Sequence, residues 1–244
     1  MNLAEVSWTD ARDAGTDLAL LPVGSTEQHG PHAPLGTDRF AAEVVAESAA
    51  DAYPDDVVVA PAVPVGIAEE HRQFPGTLWV SPDTFRAYVR ETMTALVSHG
   101  WNRIVVVNGH GGNGPAIGEV TASVTRTEDA LAVPFTWFDE VEAAFDMGHA
   151  GPLETAIMLH THPAFVHDDR RAEAAREAAD RWGEWVGSTN LAHDSAEFTD
   201  NGVVGDPSKA SPEMGADLLD SAVGALVDLL DAVSNRSLSR PRHK

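Results

Sequence analysis

The stretch Arg103-Ile-Val-Val-Val-Asn-Gly-His110-Gly-Gly-Asn-Gly-Pro115 decides the fold. Its first part, Arg103 to Val107, is a β-branched run bounded by turn residues, the pattern of a strand buried on both faces of a parallel sheet. The run empties into a glycine-rich loop and then into a helix from Pro115 to about Thr127, opened by proline at its first position. The same order recurs upstream. Leu18 to Val23 reads as a strand, Gly24 to Asp38 (GSTEQHGPHAPLGTD) as a rigid loop, and Asp38 to Ala52 as a helix closed by Tyr53-Pro54. Val57 to Ala60 reads as a second short strand, followed by the polar loop Glu69 to Thr77 and a helix from Ser81 to His99 that stops at Gly100. Ala130 to Trp137 supplies another strand. Repeated strand, loop and helix predict an α/β fold, a mostly parallel sheet covered by helices on both faces. Before this unit, Met1 to Asp17 has room for a short helix ending near Gly15. Beyond it, the pattern predicts helices from the His149–Glu154 region to about His160, over Asp169 to Val186 and over Glu213 to Val233, with an irregular stretch at 187–212. No linker divides the chain, so residues 1–244 read as one domain with a disordered tail from about 235 to 244.

The composition bounds the chemistry. With 43% hydrophobic residues, 20 glycines and 15 prolines in 244 residues, the chain is that of a globular protein rich in turns. The opening MNLAEVSWTDARDAG has no basic start followed by an apolar core, and no run approaches membrane-spanning length, so the expectation is a cytoplasmic protein without a membrane partner. Zero cysteines remove thiolate metal sites and cysteine nucleophiles, leaving His, Asp and Glu to hold any metal. A net charge of −22, from 38 acidic and 16 basic residues, excludes general nucleic-acid binding. Only Lys209 and Lys244 are lysine, and this acidic, lysine-poor balance is the pattern of a halophilic protein from a salt-rich cytoplasm.

Candidate functional residues gather in loops that leave the carboxyl ends of strands, where open α/β sheets place their sites. Glu27 and His29 lie two apart and point the same way in an extended segment, and Asp38 rejoins them if the loop folds back. Carboxylate with imidazole suits zinc, iron or manganese, and an aspartate can bridge two ions. The competing readings are a helix N-cap for Asp38, a surface acid for Glu27 and a turn residue for His32. His110 follows the most strongly patterned strand. A rival of another class is a dinucleotide-binding oxidoreductase, because Gly109, Gly111 and Gly114 form G-x-G-x-x-G between a strand and a helix. That fingerprint needs an acid about 20 residues on, after the next strand. Glu128 and Asp129 precede that strand, Asp139 lies too far along, and the rival leaves Gly24–Asp38 unexplained. His149 and Glu154 suit general acid–base roles, with Glu154 also able to complete a metal shell or simply to occupy a first helical turn. His32, Glu70, His71 and Asn113 are the candidates for the substrate pocket.

Taken together, these segments resemble the creatininase, or creatinine amidohydrolase, superfamily. The resemblance rests on Glu27-Gln-His29-Gly-Pro-His32 with Asp38, Phe74-Pro-Gly-Thr77, Asn108-Gly-His110-Gly-Gly-Asn113, His149-Ala-Gly-Pro-Leu-Glu154-Thr155 and Gly202-Val-Val-Gly205-Asp206-Pro207. It implies a three-layer α/β/α sandwich, hydrolysis of non-peptide C–N bonds in small amides by one or two divalent ions (zinc, iron or manganese), and a homo-oligomer, often a hexamer. It further implies that Glu27, Asp38 and His110 bind one metal and that His29 and Asp38 bind a second. Creatininase carries a glutamate ligand of the second metal where this chain has Gly112, which leaves Glu154 or water to fill that place. The Asn-Gly-His-Gly-Gly-Asn form is more similar to archaeal formamidopyrimidine-nucleotide deformylases and to the peptidases of mycofactocin maturation. Combined with the salt-adapted composition, it makes the deformylase the leading specific expectation, with creatinine hydrolysis and a mycofactocin-type peptidase as alternatives.

The charge balance carries its own test. Self-repulsion of the acidic surface is relieved by screening, so the melting temperature is expected to rise from dilute buffer to molar KCl. A melt unchanged by salt would remove the halophilic reading.

Overall fold

The structure, a computed structural model, describes residues 1–239. Its centre is a four-stranded, wholly parallel sheet of β1 (Leu18–Val23), β2 (Val58–Val59), β3 (Arg103–Asn108) and β4 (Leu131–Thr136), in the order β2-β1-β3-β4. Leu18 pairs with Arg103 and Val23 with Asn108, so β1 and β3 end side by side.

Helices α2 (Thr37–Ala52), α5 (Pro152–Thr161) and α7 (Pro212–Ser234) cover one face. They bury Val45, Ile157, Leu226 and Leu230 against Leu20, Val105 and Val107. Helices α3 (Pro82–Ser98) and α4 (Gly114–Thr127) cover the other, with Phe85, Val89 and Ile117 against Leu21, Ile104 and Val106. Successive strand residues therefore serve opposite layers, which is why these strands are apolar at every position. This is the expected α/β/α sandwich. Short helices α1 (Trp8–Arg12) and α6 (Asp168–Arg176) and a hairpin of β5 (Trp185–Val186) with β6 (Thr189–Asn190) lie outside it. None of the described helices is long and apolar enough to cross a membrane.

From β1 the chain crosses to β2 on one side, and from β3 to β4 on the other, so the direction of winding reverses between β1 and β3. That crevice, at the carboxyl ends of the strands, is the topological switch point. The first turn of α2 sits directly across it. A Cβ at Gly24 would collide with the backbone of Asp38 and Arg39, and one at Gly109 with the Asp38 carbonyl. The two glycines thus admit the helix backbone to the sheet edge, a reason for Gly109 that is independent of any dinucleotide.

Two sequence expectations change. The helix expected over Asp169 to Val186 stops at Arg176. Ala179 instead gives its N–H to Val203 O at 2.9 Å and accepts from Gly205 N–H at 2.9 Å, and Trp185-Val186 enters the hairpin. Tertiary pairing has overridden an alanine-rich helical pattern. In the expected tail, Arg236 O accepts from Arg103 Nη2 at 3.1 Å and Leu238 packs on the core, while residues 240–244 lie outside the described residues.

The two-layer packing predicts contrasting substitutions. Leu226→Ala, fully buried under α2 and the sheet, is expected to cost about 2–5 kcal/mol of unfolding free energy. Leu191→Ala, 51% exposed, is expected to stay within about 0.5 kcal/mol. Denaturant midpoints in molar KCl check both.

Candidate metal centre

The loop after β1 brings Glu27 and His29 over the switch point, and α2 delivers Asp38 from its second position. Gly36, not Asp38, is the N-cap, so the carboxylate is released from capping and aims inward. His110 descends from the end of β3. The fourth contribution comes from the turn before α5, where His149 pairs in an antiparallel bridge with Val204, and from Glu154 in the first turn of α5. Ala150 between them holds a φ of 50°, a strained value of the kind that structures retain at functional sites.

These groups meet closely. His110 Nδ1 lies 3.2 Å from Glu27 Oε1 and 3.3 Å from Asp38 Oδ2. His29 Nε2 lies 3.0 Å from Asp38 Oδ1 and 3.5 Å from Glu154 Oε1. Glu27 with Asp38 and His110, and His29 with His149 and Glu154, are compact enough for each set to hold one ion. Each imidazole is oriented by its other nitrogen. His110 Nε2–H donates to Ile67 O at 2.7 Å, His29 Nδ1–H to Glu27 O at 3.2 Å and His149 Nε2–H to Gln28 O at 2.6 Å. When these rings are neutral, their inward nitrogens are electron-pair donors, the arrangement found behind metal-ligating histidines.

Whether a cation fits is answered by the atoms left without partners. Both Glu27 oxygens, Asp38 Oδ2 and His29 Nε2 are buried and make no hydrogen bond, though they crowd together at contact distance. Such atoms are rare in proteins and call for an ion or water. Among the described residues, the ion-pair partners of Glu27, Asp38 and Glu154 are histidines, with no lysine or arginine. The donor set therefore suits zinc, manganese or iron(II). Protonation shows the same demand. Burial works against charge on His29, but Asp38 and Glu154 outweigh it and raise its pKa well above the ordinary value. For His110, Glu27 and Asp38 do the same against burial. A bound cation would displace those protons.

Glu154 fulfils two readings at once. Its Oε2 accepts the Ala150 N–H at 2.5 Å, as a first-turn acid does, while Oε1 faces His29. A side chain at Gly112 would collide with Ile67 O and the His110 ring and would lie 3.0 Å from Glu70 Oε1. Gly112 is thus enclosed, and the carboxylate that faces His29 besides Asp38 comes from α5. Glu70 stands at the rim, 23% exposed and 3.9 Å from His110 Nε2, with its pKa raised by burial.

The remaining pocket candidates are placed differently. Asn113 is wholly buried and braces loops, giving Nδ2–H to Gly24 O and accepting from Ile67 N–H, both at 3.0 Å. His32 is also wholly buried, 2.9 Å from Thr155 Oγ1, and burial lowers its pKa to about 4. His71 lies inside the cluster, Nε2 3.5 Å from Glu27 Oε1 and its ring stacked on His149 at 4.3 Å. Burial and the neighbouring imidazoles push its pKa down. Trp182, which the sequence pattern hid within an expected helix, lies edge-on to His71 and His149 at 5.5 and 6.0 Å and is backed by Phe198 at 5.1 Å. Only the following glycine hinted that the helix had ended.

Acids and imidazoles gathered at the switch point of an α/β/α sandwich form a donor set for divalent cations. The chain belongs to the creatininase (creatinine amidohydrolase) family, whose pattern matches residues 4–230. It is 39% identical over 157 residues to the mycofactocin precursor peptide peptidase of Mycolicibacterium smegmatis, covering 62% of this chain and 61% of that protein. The chain thus aligns with less than two thirds of that relative's length. It is 28% identical over 195 residues to the creatinine amidohydrolase of Pseudomonas putida, covering 69% and 74% of the two chains. In structure it is similar to a mutant creatininase of Zn-Zn type, with a TM-score of 0.83, 24% identity and coverage of 96% and 98%. A manganese creatininase aligns with a TM-score of 0.82 at 24% identity, over 96% and 99%.

Among the described residues, Asp38 is the one carboxylate with ion-pair contacts to both His29 and His110. Asp38→Asn is expected to lower zinc affinity about tenfold or more while leaving the far-ultraviolet spectrum unchanged. Metal content after dialysis against dilute chelator checks this, and wild-type retention by the variant would exclude Asp38 as a ligand.

Proposed function

We propose that this protein hydrolyses an amide C–N bond at a centre of one or two divalent ions held by Glu27, Asp38 and His110 and by His29, Asp38 and Glu154. The observation that carries the reading is the convergence of buried, unpartnered oxygen and nitrogen atoms at the switch point. A divalent cation there supplies a water of lowered pKa and polarises the substrate carbonyl. His149 Nδ1 accepts a proton from the attacking water and passes it to the departing nitrogen, its ring fixed by the Nε2–H bond to Gln28 O. Burial and nearby His29 lower the His149 pKa, which keeps Nδ1 available as an acceptor. Trp182 and Phe198 cover these imidazoles and exclude bulk water.

For the substrate, the 39% identity to a peptide peptidase favours a peptide. A groove sharing Trp182 with the centre, also lined by Phe145, Gly148 and Lys209 and about 770 Å³ in volume, offers room for a chain beyond the cleaved bond. A second reading, hydrolysis of a formamide as in formamidopyrimidine-nucleotide deformylases, is favoured by the Asn108–Asn113 segment. Creatinine hydrolysis is the third member of the panel. A homo-oligomer is part of the same proposal.

The test is metal-loaded protein in molar KCl incubated with short peptides, formamidopyrimidines and creatinine, scored for amine, formate and creatine. Turnover of one class, abolished by chelator and restored by zinc or manganese, is the expected result. Chelator-resistant turnover, or none from any amide, would remove the proposal.

A further inference from the structure

We infer that Gln28 is a positioning residue: its side-chain amide decides which nitrogen of His71 carries hydrogen, and so keeps the His71 nitrogen that faces Glu27 protonated and unable to bind a metal. Gln28 lies between Glu27 and His29 and is buried. Its amide can face only one way. Oε1 accepts the Gly30 N–H at 2.9 Å, and Nε2 donates to Gly202 O at 3.0 Å. Reversal would set oxygen against the Gly202 carbonyl and N–H against N–H. The second hydrogen on Nε2 then reaches His71 Nδ1 at 2.9 Å, so Nδ1 must accept. A neutral ring with Nδ1 accepting carries its hydrogen on Nε2, the atom 3.5 Å from Glu27 Oε1.

Ser195 does not decide the matter. Its Oγ lies 3.0 Å from His71 Nδ1 and 3.0 Å from Glu70 O, and a hydroxyl satisfies either ring form. The backbone is shaped around the amide instead. Gly202 has a φ of +81°, and a Cβ there would run into the Gln28 amide. The consequence concerns choice among ligand sets. Glu27, His71 and His149 are close enough to hold an ion, but His71 then has no bare nitrogen facing it. Glu27 is left to Asp38 and His110. Gln28 thus orients two imidazoles by different groups, His149 through its carbonyl and His71 through its side chain.

The role in ligand choice rests on the metal-centre reading, whereas the ring form does not, and the test separates them. Solid-state nitrogen-15 spectra of metal-free, histidine-labelled protein in KCl, with His71 assigned by its loss in His71→Asn, report the tautomer. The wild type is expected to show His71 with bare Nδ1 and protonated Nε2. Gln28→Leu, and Gln28→Glu, whose carboxylate can only accept, are expected to move the hydrogen to Nδ1, where Ser195 receives it. Ser195→Ala is expected to keep the wild-type form. With Nε2 bare, His71 can join Glu27 and His149 around an ion, so zinc affinity in Gln28→Leu, read by competition with a chromophoric chelator, is expected to differ about tenfold or more from the wild type. Protonated Nδ1 in the wild type overturns the inference even if neither Gln28 variant folds. So does an unchanged tautomer in Gln28→Leu. Failure of wild-type protein to bind zinc, with the tautomer as expected, would remove the metal reading alone.

Discussion

The constraint on which the rest depends is the seating of α2's first turn over Gly24 and Gly109. Two neighbouring parallel strands are each followed by glycine, and the space the missing side chains leave is filled by the backbone of Asp38 and Arg39. This close approach does more than pack a helix. It places a carboxylate between loops from β1 and β3, with one oxygen 3.0 Å from His29 and the other 3.3 Å from His110. A helix held higher, as any Cβ at either glycine would require, would withdraw the acid that joins the two halves of the centre.

That geometry has an electrostatic cost. Glu27, Asp38 and Glu154 are taken out of water together without lysine or arginine, and unpaired buried carboxylates cost several kcal/mol each. The imidazoles offset part of this by holding protons, as the raised pKa values of His29 and His110 show. A divalent cation would offset it more fully because one ion answers several acids at once. Binding and stability are therefore coupled at this site: the fold that assembles the acids is itself stabilised by whatever neutralises them.

Much of this was legible in the sequence, for identifiable reasons. β1, α2, β3 and α4 follow from apolar runs, prolines and glycines whose effects are local, and Leu18–Val23 matches the strand at both ends. The convergence of Glu27, His29, Asp38 and His110 followed from the rule that ligands leave the carboxyl ends of parallel strands. What was not legible depends on contacts distant in sequence. Asp169–Val186 reads as helix until pairing with Val203–Gly205 is known, and Trp182 becomes part of the site only through that break. Asn113 has the pattern of a pocket residue, yet its partners, Gly24 and Ile67, are supplied by other loops. His71 reads as a substrate-pocket residue, and only the structure shows its ring bonded to the Gln28 amide and facing Glu27.

The cover over the centre differs in kind from its floor. The floor is the interior of a sheet packed by leucines, isoleucines and valines, whereas the segment carrying Trp182 is tied down by a small cluster of Ala150, Ala174 and Val203, a two-stranded hairpin and a few polar contacts. Regions with so little apolar burial open at far lower free energy than the global fold. Changes in the cover can thus be absorbed without disturbing the ligands beneath. The architecture separates a rigid floor that holds the acids and imidazoles in place from a cover that can drift in shape above them.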